Sequence, residues 1–113
     1  TVLSSMSYVS GFTSGEAAPL RYRVIRKQVI IAGGATGTFA SGTAYQISAS
    51  TIPAQYRPPI VIYGSAAGTF MRGYCSYYVL PSGAISVGWN NGGASLTAPA
   101  WISFNCTYFL DYE

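Results

Sequence analysis

The stretch Thr51–Gly64, TIPAQYRPPIVIYG, decides how the rest of the chain is read. It holds three of the six prolines, at Pro53, Pro58 and Pro59. Proline has no backbone N–H to give to a sheet ladder, so Ile52–Pro59 cannot be the middle of a paired strand. The residue before each proline is also pushed away from helical geometry. The segment is therefore expected to be an extended connector that crosses from one side of a barrel or sandwich to the other. Ile52 and Tyr56 are its anchors, and it feeds a strand at Ile60–Tyr63. Strands before it are expected to form one group, and strands after it a second.

Outward from the connector, the sequence alternates with a period of two. Leu20, Tyr22 and Val24 share one side of a short strand, with Arg21 and Arg23 on the other. A tight turn near Arg26–Lys27 leads into a strand at Gln28–Ala32, which Gly33–Gly34 is expected to break. Phe39–Ile47 reads as irregular strand, and Gly64–Gly68 as a small-residue turn. The longest strand candidate is Phe70–Leu80. Phe70, Arg72, Tyr74, Ser76, Tyr78 and Leu80 share one face, which Arg72 and Ser76 mark as the wetter, and this places Cys75 inside. Pro81–Ser82–Gly83 is a turn signal before Ala84–Trp89, and Asn90–Gly93 supplies residues that tolerate positive φ. In the last strand, Trp101–Leu110, Ile102, Phe104, Cys106, Tyr108 and Leu110 face the core. No stretch sustains a 3.6-residue period with caps. The expected fold is all-β, a mostly antiparallel, Greek-key-like barrel or sandwich of seven or eight strands. Residues 1–18, rich in Ser and Gly, read as a neck or linker, and residues 19–113 as the β-barrel domain.

The totals narrow the class. A chain of 113 residues makes one domain. Only 8% of residues are charged while 50% are hydrophobic, against roughly 25% charged in ordinary globular proteins. Burial of surface against other copies of the chain accounts for that deficit. Four of the six basic residues, Arg21, Arg23, Arg26 and Lys27, crowd one stretch of a chain whose net charge is +3. A solvated edge strand protected by charge explains them better than a phosphate-binding stripe. Val29–Ala32 is too short to span a bilayer, and no Sec-type leader opens the sequence, so no membrane partner is expected. Cys75 and Cys106 are read as buried free thiols rather than a disulfide.

The chemistry that is missing argues against catalysis. The sequence has no His, and its three acids are Glu16, Asp111 and Glu113, near the chain ends. A glycosidase needs two carboxylates placed across one bond, and a triad needs a base. Neither a zinc set nor a calcium set can be assembled in the usual way, so no catalytic, metal or cofactor residues are assigned. Gly33–Gly37 lacks the Gly-Lys-Ser/Thr ending of a phosphate loop. Asn105–Thr107 matches a glycosylation sequon, but strand alternation explains it. Binding remains. Aromatic faces against sugar C–H surfaces, with fixed polar groups for hydroxyls, are best combined at Arg72, Tyr74, Tyr78, Trp89, Asn90 and Asn91. Packing at a subunit interface is the competing role for Tyr74 and Tyr78, and Trp89 has inward parity.

A strand pair ending in VIIAGGATG, then IPAQYRPP, then PSGAISV, then WISFNCTYFLD occur in that order. This series resembles the head domain of receptor-binding proteins and tail fibres of tailed bacteriophages, especially those infecting Gram-positive hosts. The resemblance covers about Leu20 to Tyr112. It implies a homotrimeric β-barrel head at the tip of a baseplate or fibre, made in the bacterial cytoplasm and carried on the virion. It implies host adhesion by binding a cell-wall polysaccharide, with other tail or baseplate proteins joined through the N-terminal side. Nucleic acid is not an implied partner. A capping or trimerisation module without receptor contact and a bacterial lectin-like adhesin are the alternatives. The frame carries over no ligand residues.

Overall fold

The computed structural model describes residues 2–15, 17–39, 42–68, 74–90 and 100–110. Eight strands follow in chain order: β1 (Val2–Ser5), β2 (Arg21–Ile25), β3 (Gln28–Gly37), β4 (Thr43–Gln46), β5 (Ile62–Gly68), β6 (Tyr74–Val79), β7 (Ile85–Asn90) and β8 (Ala100–Phe109). A single 3-10 turn at Ala54–Tyr56 is the one helical element among the described residues. All pairings are antiparallel, in the order β1-β2-β3-β8-β5-β6-β7-β4. The sheet curls so that its two ends meet beyond the edge strands. There Val9 N–H donates to the Ile47 carbonyl (2.9 Å) and Ala49 N–H to the Ser7 carbonyl (2.8 Å). Closing the sheet in this way removes much of the free edge that an eight-stranded ribbon would expose.

Alternation decides what fills the inside. Val29, Ile31 and Ala35 of β3, with Ile102, Phe104, Cys106 and Tyr108 of β8, are buried. The second half contributes Cys75, Val79, Ile85, Val87 and Trp89. Tyr77 lies parallel to Phe104 across the interior, with ring centroids 4.5 Å apart and planes 4° from parallel. Both thiols are free and buried. Burial pushes each above its ordinary value, and a hydrogen bond with Tyr77 partly offsets this for Cys106.

The connector is as expected in kind. Ile52 is fully buried, and the Tyr108 hydroxyl donates to the Tyr56 carbonyl at 2.6 Å. Arg57 Nε donates to the Ile52 carbonyl at 2.7 Å, and Ile52 N–H to the Gly83 carbonyl at 3.0 Å, so the connector is tied to the β6–β7 hairpin.

Four details differ from the sequence reading. The strand after the connector is β5, Ile62–Gly68; Ile60 and Val61 are exposed before it, and the expected turn at 64–68 is strand. Glycine at 64 is required there because a Cβ would lie 2.8 Å from the Tyr77 hydroxyl. β3 runs straight through Gly33–Gly34. Cβ atoms at these positions would sit 2.2 Å from the Pro19 carbonyl oxygen and 2.0 Å from that of Ile102, so the glycines admit neighbouring backbone instead of ending the strand. The two-group division also fails, because β8 inserts between β3 and β5, and β4 joins β7. Finally, β2 is not an edge strand, since β1 covers it.

Residues 1–18 were read as a neck. Within them, β1 pairs with β2, Met6 is buried, and the Tyr8 hydroxyl donates to Gly34 O (2.6 Å) while accepting from Leu20 N–H (2.8 Å).

Candidate saccharide-binding surface

The outer face of β5, β6, β7 and β4 carries two cross-strand rows fixed by register. Tyr63, Tyr78, Ser86 and Gln46 form one; Ser65, Ser76, Gly88 and Ala44 form the next. Because strands lie about 4.8 Å apart, an aromatic row beside a row of small residues leaves a step in the surface. The step is a hollow of about 160 Å³ lined by Gly42, Thr43, Ala44, Ser76, Tyr78 and Gly88, with Trp89 beneath. Small-ligand pockets run from roughly 300 Å³ upward, so this hollow is too small to enclose a saccharide and offers a shallow contact for one face of a ring.

β4 is one wall, and aromatics brace it from inside. Tyr45 packs on Phe12 and Phe39 with centroids 6.0 and 5.8 Å away, and Phe39 is fully buried. Gly42 N–H donates to the Trp89 carbonyl at 2.7 Å, which closes the ladder at the rim. At the other end Ser48, fully buried, accepts from Ile85 N–H at 3.0 Å. On the floor the Ser76 and Tyr78 hydroxyls are 3.1 Å apart and share a hydrogen bond, which orients the phenol. The lining offers neutral hydroxyls, one aromatic edge and backbone, and no carboxylate.

Of the six residues singled out from sequence, Tyr78 and Trp89 meet at this hollow. Trp89 does so from below. Its side chain is 3% exposed and belongs to the core, as its parity requires. Tyr74 and Asn90 are register partners in β6 and β7, with side chains outside the description. Arg72 and Asn91 lie outside the described residues. Sequence reading missed Gly42, Thr43, Ala44, Ser76 and Gly88 as lining residues; Ser76 shares the face of Tyr78 two residues on. The pairing of β4 with β7 brings the others in, and nothing local to Gly42–Ala44 announces it.

Among solved structures, the chain is similar to the head domain of phage bIL170, a crystal structure described in relation to the receptor-binding domains of lactococcal phages. The match has a TM-score of 0.73 and covers 96% of each chain at 20% identity. This chain has the fold of that phage head domain. No protein-family model and no curated protein matches it. The bIL170-like fold is thus matched over nearly the whole length at only 20% identity. The ordered series from VIIAGGATG to WISFNCTYFLD maps onto β3, the connector, the β6–β7 hairpin and β8.

Proposed function

We propose that the chain is a receptor-binding head of a tailed phage that holds a host cell-wall saccharide without cleaving it. The observation that carries this is the phage-head fold, matched over 96% of both chains. The hollow beside β4 is the proposed contact, with Tyr78 against the apolar face of a sugar ring and the hydroxyl of Ser76 toward its own. Arg72, Tyr74, Asn90 and Asn91 remain candidate contacts from the sequence in this reading. Binding fits the lining better than hydrolysis, which needs two carboxylates about the scissile bond. The head is proposed to act as a homotrimer on the virion, at a tail tip, baseplate or fibre. Other tail proteins would join through the N-terminal side, after synthesis in the host cytoplasm.

The test is sedimentation of purified protein with cell walls of candidate hosts. Tyr78→Ala should weaken retention about tenfold or more, the usual cost of losing an aromatic anchor, with the melting temperature little changed. Wall binding unaffected by Tyr78→Ala and Ser76→Ala together removes the hollow from the reading. A head that binds no wall to which the intact particle adsorbs removes the function.

A further inference from the structure

With β1 covering β2, the basic run no longer serves to protect an edge. Arg21 and Arg23 stand exposed on the outer face, in register with Ala32 and Ile30 of β3, which in turn face Asn105 and Thr107 of β8. Arg21 donates from Nη1 to the Pro19 carbonyl at 3.0 Å. Among the described residues that bond engages one of the five N–H donors of the guanidinium. No carboxylate occurs among the described residues.

Beside this Arg the sheet splays. Among the described residues β8 and β5 pair at Ala67↔Ser103 and Gly68↔Ile102, while Ser65 and Ala66 pair with β6 and not with β8. The cleft that opens holds about 390 Å³, within the range of small-ligand sites. Its polar lining is Arg21, Ser65, Ser103 and Asn105 over a floor of small residues such as Ala32 and Ala67. Two strand spacings separate the Arg21 and Asn105 backbones, about 10 Å, enough for one ring with a substituent between them. Ala32 stands between them in register, so no bulky side chain fills the gap.

We propose that this cleft is a second binding site, distinct from the hollow beside β4, for a sugar that carries an acidic group. Arg21 contacts the phosphate or carboxylate, and Ser65, Ser103 and Asn105 contact ring hydroxyls. A planar, permanently charged guanidinium pairs with either acid through two parallel N–H bonds. Single-stranded nucleic acid fits less well, because base binding needs an exposed aromatic platform. Among the described residues that line the cleft, the one aromatic is Phe104, which is buried and stacked on Tyr77. The proposal stands on the cleft alone and does not need the host-binding reading.

The test is titration of the isotope-labelled full chain with glucose 1-phosphate, glucuronate and glucose, followed by NMR. The Arg21 Nε–H and Asn105 side-chain amide signals should shift with one or both acidic sugars at concentrations where glucose leaves them still; which acid is stronger identifies the group. Arg21→Gln should weaken the acidic-sugar response roughly tenfold to a hundredfold, the range for a lost charged hydrogen bond. Asn105→Ala should weaken the sugar phosphate but not inorganic phosphate. Tyr78→Ala should change nothing here, which separates this site from the hollow. The proposal is overturned if neither acidic sugar shifts these signals, if glucose acts equally, or if Arg21→Gln has no effect. Tighter binding of oligothymidylate than of glucose 1-phosphate also overturns it.

Discussion

Gly34 and Gly42 show that a glycine can be required for two separate reasons. At Gly34 a Cβ would lie 2.0 Å from the Ile102 carbonyl oxygen, and that oxygen belongs to a ladder that cannot retreat without unpairing β3 from β8. Gly34→Ala should cost about 3 kcal/mol or more, the upper end of overpacking. Gly42 has open space around it but a φ of +82°, so Gly42→Ala should cost only about 1–2 kcal/mol of backbone strain. Urea midpoints at matched m-values rank the two, and equal losses would refute the distinction. Titratable groups give a second residue-scale prediction. Burial raises Tyr8, Tyr77, Cys75 and Cys106 above their ordinary values of 10.0 and 9.0. A folded-state value above the unfolded one means the native chain holds its protons longer, so this stability is complete below about pH 8.5 and falls as pH climbs. Melting temperature should drop steadily from about pH 8.5 upward, and Cys106→Ala should make the decline shallower. A melting temperature flat to pH 11 would contradict the burial of these groups.

At the scale of elements, legibility followed the size of the side chains. β8 was plain because Ile102, Phe104, Cys106 and Tyr108 alternate with polar residues, and all four are buried. The connector was plain because proline removes donors whatever the surroundings. β5 and the second half of β3 were not, since IYGSAAG and GGATG carry side chains too small to show a period. Their strand character comes from what packs on them, Tyr77 over Gly64 and the Pro19 carbonyl over Gly33. Half of the hollow was hidden for a similar reason. Thr43 and Ala44 acquire meaning only through pairing with Trp89 and Gly88, more than forty residues away. Gly88 offers a test at this scale. A Cβ there would meet Thr43 O at 3.3 Å and Ala44 Cα at 3.4 Å, a mild conflict that edge strand β4 can relieve by a small shift. Gly88→Ala should therefore change stability by less than about 1 kcal/mol while raising the floor of the hollow. Loss of wall binding with retained stability is the expected outcome, and retention of both would place the saccharide elsewhere.

For the whole molecule, the scarcity of charge has to be reconciled with what the surface shows. Exposure is 63% at Ile60, 72% at Tyr63 and 57% at Phe109, and Val61 is exposed beside them. β5 and β8 are antiparallel, so the start of β5 and the end of β8 lie toward the same end of the sheet. Ile25 and Phe109, with Arg26, Lys27 and Gln28, line an open recess there, at the tip of the β2–β3 hairpin. Apolar side chains gathered at one end of a chain with 8% charged residues are what an interface between copies would present. The proposed trimer should then elute with three times the 12.0 kDa mass of the chain in light scattering after size exclusion. Phe109→Lys should shift that mass toward the monomer, because burying an unpaired ammonium costs several kcal/mol. A trimer that keeps its mass in Phe109→Lys and Tyr63→Lys would put the interface on another face. A wild-type monomer at micromolar concentration would leave the low charge unexplained by assembly and would remove the trimer from the proposed function.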